Sequence, residues 1–240
     1  MKENLNVHGL WRQRNESFDE VTDNAYQMLT QLATIYPEWK NWYRFYKTIA
    51  ESKNPRKILS GNREEIKDEF LSKQHVSEDG TIDKSFGYRL HAYSGHLPLW
   101  NASEISICCC VQGYYQPFNN IALKIPQFPQ FLPCNENVNK MAQAVEYLAK
   151  TWDTDWLSIR ISIESAHEPL WHGAPIFGWI NYLSPRIGTL TTLPDGWHWW
   201  KGNKKCSKIF VFNEGLPSKN KPEDIEKIER LISKISWNKK

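Results

Sequence analysis

His167, Glu168 and His172, in the run HEPLWH, are the nearest approach in this sequence to a hydrolytic metal motif. An H-E-x-x-H zinc site needs its histidines four residues apart, so that one helical face holds both. Here they are five apart, which turns the second imidazole by about 140°, and Pro169 disfavours a helix through Glu168. The spacing fits loop histidines better than a metal-dependent hydrolase. Three consecutive cysteines, Cys108, Cys109 and Cys110, offer thiols instead. Successive side chains on a strand point to opposite faces, so their sulfurs are not expected to converge on one ion. Core packing is the expectation for them, with an exposed Cys109 as the route to a reactive thiol. Cys134 and Cys206 add no C-x-x-C pair. Nucleophile-elbow, phosphate-loop and dinucleotide motifs are all missing, so an enzyme reading has no starting residue and no cofactor is expected.

Contact chemistry is better represented. Trp171, Trp179, Trp197, Trp199 and Trp200 fall in one stretch of the chain. Tryptophan joins a large apolar face to one N–H donor, which suits partly wet cores and the anchoring centres of interfaces. Trp179 sits among apolar neighbours in FGWINYL and reads as core. Trp197, Trp199 and Trp200 lie in DGWHWWKGNKK, between turn-forming residues on both sides, where complete burial of all three is difficult. An exposed apolar patch there would mark a partner site. Just before this stretch, Glu146, Asp153, Asp155, Glu164 and Glu168 outnumber Lys150 and Arg160. Lys201, Lys204, Lys205, Lys208, Lys239 and Lys240 make the end of the chain basic. A nucleic-acid-binding module could use them, but no aromatics interleave with them regularly, so a solvated surface is the better reading.

The elements that must position these residues follow from periodicity. With 240 residues and a net charge of +3 from 30 basic and 27 acidic side chains, the chain can bury a core without metal or disulfide, and its balance is not that of a dedicated nucleic-acid binder. Five cysteines without a secretory signal argue for reduced thiols. No apolar run is long enough for a signal peptide or a membrane span, which makes the cytoplasm the expected location. His8 to Trp11 reads as a short strand. Ser17 and Glu20 have capping-box spacing, and Val21, Ala25, Met28, Leu29, Leu32 and Ile35 form one helical stripe up to Pro37. Pro37 is expected to open a second helix with Trp39, Trp42 and Tyr43 on its face, and a charged helix is expected near Glu64 to Lys73. Residues 50–64 and 77–85 read as loops.

From Phe86 onward, FGYRLHAYSG, EISICCCVQGYY and IALKIP predict an antiparallel meander. A helix capped by Asn137 follows, with Val138, Met141, Val145, Leu148 and Trp152 on its stripe. Next, WLSIRISI alternates Trp156, Ser158, Arg160 and Ser162 against Leu157, Ile159, Ile161 and Ile163. Ile176 to Leu183 and Lys208 to Phe212 supply later strands. Pro222 to Ser236 closes the chain as an amphipathic helix through Ile225, Ile228, Ile232 and Ile235. The expected architecture is a single α+β domain, 1–240: an antiparallel sheet of two meander-like strand groups packed against helices.

The two ends of the chain resemble the immunity protein 52 family, inhibitors that accompany bacterial polymorphic toxins. In HGLWRQRNES, Trp11, Arg14, Glu16 and Ser17 match a W-x-x-R-x-E-S pattern, and in FGWINYLS, Gly178, Trp179 and Tyr182 match a later block. Arg12 stands where the family usually has Gly, and Asp224 where a His is expected. The resemblance implies a non-enzymatic cytoplasmic antitoxin that binds a cognate toxin domain, often a nuclease of restriction-endonuclease type. On that implication, Trp171, Trp197, Trp199 and Trp200 would anchor the toxin and Asp153, Asp155, Glu164 and Glu168 would steer it, while the family-motif residues serve structure. Carboxylates in that position complement basic residues that a nuclease uses for phosphates. Neither direct nucleic-acid binding nor a membrane partner is expected.

Overall fold

The computed structural model describes residues 4–14, 16–45, 55–58, 62–94, 102–110, 118–126, 135–161, 174–201, 208–213, 215–218 and 220–238. The fold is α+β, with antiparallel strands packed against helices. It divides into two compact units, residues 11–124 and residues 1–10 with 125–240.

In the 11–124 unit, α1 (Phe18–Ile35) starts where the sequence predicts. The Ser17 hydroxyl accepts from the Glu20 N–H at 3.2 Å and the Glu20 carboxylate accepts from the Ser17 N–H at 2.7 Å. Val21, Ala25, Met28, Leu29 and Leu32 are fully buried along the expected stripe. The second predicted helix does not form. Pro37–Lys40 is one 3-10 turn, after which the chain extends at Asn41 into β2 (Trp42–Arg44). Pairing with a neighbouring strand wins there, because it buries Trp42 completely and stacks Tyr43 on Tyr93 at 5.6 Å. The charged helix α2 (Arg63–Ser72) is as expected, and Arg63 bridges to Asp19 and Asp23 of α1. Within the expected loop 77–85, Val76 pairs with Ile82 around a turn in which Gly80 has φ +84°.

The meander follows as β3 (Tyr88–Ser94), β4 (Ser103–Cys109) and β5 (Phe118–Ile125), giving the order β2-β3-β4-β5. All three central cysteines are free and buried. Cys110 lies past the strand end at φ 57°, where its thiol donates to the Glu16 carbonyl at 3.6 Å, while the Cys109 thiol donates to the Tyr88 carbonyl at 3.7 Å. Burial of Cys109 also removes the exposed-thiol route.

In the other unit the strands run β1 (Leu5–Arg12), β6 (Trp156–Ile161), β7 (Ile180–Leu183), β10 (Ile209–Phe212) and β9 (Trp197–Trp199), all antiparallel. β10 therefore lies between β7 and β9, a departure from strict meander order. A small pair joins β8 (Gly188–Thr189) to β11 (Ser236–Trp237). Helix α3 (Asn135–Thr151) packs on β6, β7 and β10. It begins two residues before the predicted cap, leaving Asn137 buried in its first turn, and Trp152 is buried just beyond its end.

The last helix, α4 (Pro222–Lys234), buries Asp224, Ile228 and Leu231, followed by Ile235. Ile225 and Ile232 are half-exposed, so the buried stripe is rotated from the predicted one. Asp224 turns inward because its carboxylate accepts from the Ser218 N–H at 2.9 Å.

Gly178 fixes the register of β6 and β7. A Cβ at this position would lie 2.2 Å from the Ile159 carbonyl oxygen. Asn181 clasps Gly178 from both sides, Oδ1 accepting from its N–H at 2.7 Å and Nδ2 donating to its carbonyl at 2.9 Å. Gly178→Ala must displace backbone, and it is expected to lower the unfolding free energy by about 2–3 kcal/mol. Gly80→Ala, which meets nothing within 4 Å but has positive φ, is expected to cost about 1–2 kcal/mol. Urea midpoints of the two variants check the difference.

Candidate functional site: an aromatic cleft beside a clamped turn

Paired residues of antiparallel strands share a face, so one face of the unit carries Trp197 with Phe212, Trp199 with Phe210, and Phe210 with Asn181. At the β7–β9 end of that face is a cleft of about 90 Å³ lined by Leu183, Pro185, Gly188, Leu190, Trp199 and Phe210, with Lys208 and Thr189 at its polar margin. Trp199 meets Phe210 edge-on at 6.0 Å and is half-exposed. The other two tryptophans of this segment are tied to helices. Trp197 is 6% exposed and donates from Nε1 to the Lys227 carbonyl of α4 at 3.2 Å. Trp200 donates to Oδ1 of Asn139 on α3 at 3.1 Å.

The wall of the cleft is continuous with a turn, Ser184–Ile187, that Arg186 fastens to the end of α3. Arg186 donates from Nε to Asp155 at 3.0 Å, from Nη1 to Asp153 at 2.5 Å and from Nη2 to the Asp153 carbonyl. Asp153 reaches this geometry in the left-handed region, at φ 41°. The two aspartates hold the guanidinium strongly protonated. Asp155 is buried and Asp153 exposed. Both carboxylates read from sequence as steering groups hold the turn in place.

Of the residues singled out from sequence, the cleft region gathers Trp199, Asp153 and Asp155. It places Trp197 in the core, and Trp200 on α3. Trp171, Glu164 and Glu168 lie outside the described residues, as do His167, His172, Lys204, Lys205, Lys239 and Lys240. Lys201 and Lys208 are exposed. Among the described residues, no group of three His, Cys, Asp or Glu side chains could hold a metal ion, and no helix is long and apolar enough to cross a membrane. The family-motif residues occupy structural positions. Trp11 is fully buried under the Arg14 guanidinium, 6.0 Å from its ring, Ser17 caps α1, and the Trp179 N–H donates to Ile159 at 2.7 Å. Tyr182, in β7, pairs with Ile209 and Leu157. Arg186, Leu183 and Gly188 escaped sequence reasoning as site residues, and Lys208 reads there only as part of a basic cluster, because only the strand order brings them together.

Further along the same face, His8 pairs with Ser158 and Asn6 with Arg160. His8 packs edge-on against Trp156, with ring centroids 5.5 Å apart. Arg160 Nη2 donates to His8 Nδ1 at 3.2 Å, which requires a neutral imidazole protonated at Nε2. Burial first, and the Arg160 charge second, lower the His8 pKa to about 4.

The site thus consists of a half-exposed aromatic at a sheet edge, beside a cleft and an ion-paired turn. Residues 4–214 match the family model for Immunity protein 52, and the chain belongs to that family. Among solved structures it is similar to the Pseudomonas aeruginosa T6SS protein PA0821, at 7% identity and a TM-score of 0.49, covering 98% of this chain and 73% of that one. No curated protein matches it.

The His8 shift has a direct consequence for stability. The folded state binds fewer protons than the unfolded state, whose imidazole titrates near 6.5, so the contribution is complete above that value and is lost as the pH falls towards about 4. Chemical denaturation at about pH 7.5 and about pH 4 is expected to show the native protein losing about 2 kcal/mol more than His8→Gln, after allowance for the ring's partial exposure.

Proposed function

We propose that the whole chain, residues 1–240, is an antitoxin that binds a cognate toxin domain and neutralises it by covering a surface the toxin needs. Membership of the immunity protein 52 family carries this reading. Inhibition by contact requires an apolar anchor and a polar rim and no reacting group, so the protein acts without catalysis or cofactor. The Trp199 cleft supplies such an anchor, with Lys208 at its margin and the exposed Asp153 on the far side of the adjoining Arg186 turn. Trp197 and Asp155 support the contact from beneath, and Trp171, Trp200, Glu164 and Glu168 are further candidate contacts on the strength of residue type alone. The toxin class is a nuclease, whose basic phosphate-binding residues exposed carboxylates such as Asp153 would complement. The meeting place is the cytoplasm, where nucleic acid is found.

Cells expressing the toxin domain encoded beside this gene are expected to grow when this protein is co-expressed, and the two chains to co-purify in a stoichiometric complex. Trp199→Ala is expected to weaken that complex by about 2 kcal/mol, or about thirtyfold in Kd, while the variant remains folded. Calorimetry with the purified pair measures this. An unchanged Kd in folded Trp199→Ala would move the anchor elsewhere. A toxic neighbour that is neither bound nor neutralised would reject it as the target.

A further inference from the structure

Among the described residues, the polar part of the same sheet face holds a guanidinium with no carboxylate partner. A guanidinium carries five N–H donors and a charge that persists at any physiological pH. Arg160 commits one donor to His8. Its Nε and Nη1 are buried without a hydrogen-bond partner. Beside it on β6, Ser158 is 1% exposed and its hydroxyl is likewise unpartnered. The neighbouring polar side chains do not relieve either group. Asn181 is committed to Gly178, and Asn6 donates to the carbonyl of Asn4. Among the described residues no carboxylate pairs with Arg160, and burial lowers its pKa without an opposing acidic neighbour.

Buried donors and buried cations are ordinarily matched, and one left unmatched favours any ligand that completes it. His8 is neutral and adds no charge, so a monoanion balances the site. A dianion such as phosphate would leave charge uncompensated. Arg160 as a whole keeps partial exposure, while its unpaired Nε and Nη1 are covered, so a carboxylate that completes the pair has to displace that cover.

We infer that His8, Ser158 and Arg160 form a receptor for a carboxylate, filled in the complex by an Asp or Glu side chain of the bound toxin. This rests on the antitoxin reading and adds to it the chemistry of one contact. Here the basic residue belongs to this chain and the acidic group to its partner, the reverse of the polarity proposed for Asp153.

Acetate is the first probe. In NMR titrations at neutral pH, the Arg160 Nε–H and the His8 ring are expected to shift saturably with acetate, and not with chloride at equal ionic strength. Arg160→Met is expected to abolish the response while its tryptophan indole signals stay dispersed. With acetate bound, the His8 pKa is expected to rise. In the toxin complex, Arg160→Met is expected to raise Kd at least tenfold, with Arg160→Lys intermediate. A linear, chloride-like response, or one that survives in Arg160→Met, would overturn the receptor. Wild-type affinity in folded Arg160→Met would overturn its role in the complex. Failure of the wild-type protein to bind the toxin would count against the antitoxin reading instead, and the acetate result would stand apart from it.

Discussion

Gly178 lies against β6 so closely that no side chain fits between its Cα and the Ile159 carbonyl. The absence of a Cβ lets the Trp179 N–H reach that carbonyl at 2.7 Å, while the Trp179 carbonyl accepts from Phe212 at 2.8 Å. Three strands, β6, β7 and β10, are thereby held at one register. A slip of one residue would exchange the faces of every side chain on a strand. With the register fixed, Leu183 and Phe210 stand beside Trp199, and Ser158 stands between His8 and Asn181. The aromatic cleft and the polar patch are both products of that single backbone contact.

The two features suit a protein that works by contact. An edge tryptophan beside a small cleft offers apolar area that water solvates poorly, and the turn forming one wall is stiffened by Arg186 between Asp153 and Asp155. Pre-positioned walls lower the ordering cost of association. The polar patch supplies direction, since unmatched donors discriminate against a partner lacking the complementary group. Membership of an immunity family is consistent with the contact role proposed for both features. Neither requires a reacting group.

Local periodicity made much of this legible. Ser17 and Glu20 announced α1, the isoleucines of the last helix announced α4, and the alternation of WLSIRI announced β6 with its polar side, Ser158 and Arg160. Where a segment's fate is decided by distant partners, the sequence was silent. Trp42 and Tyr43 suit a helix by spacing, yet cross-strand burial against β3 makes them a strand. Trp197 and Trp199 are indistinguishable in DGWHWWKGNKK, and only α4, arriving from thirty residues further on to accept the Trp197 N–H, makes one core and leaves the other half-exposed. The cleft needed the order β7-β10-β9, which no local pattern encodes. Asp153 and Asp155 read as surface acidity, because Arg186 reaches them only through the fold.

Hydrogen–deuterium exchange of this protein, alone and saturated with the neighbouring toxin domain, most directly tests whether the Trp199 face is where the partner sits. Slowed exchange concentrated in residues 184–190 and 197–201 is the expected result. Slowed exchange confined to residues 11–124, with the β7–β9 end of the other unit unchanged, would contradict it.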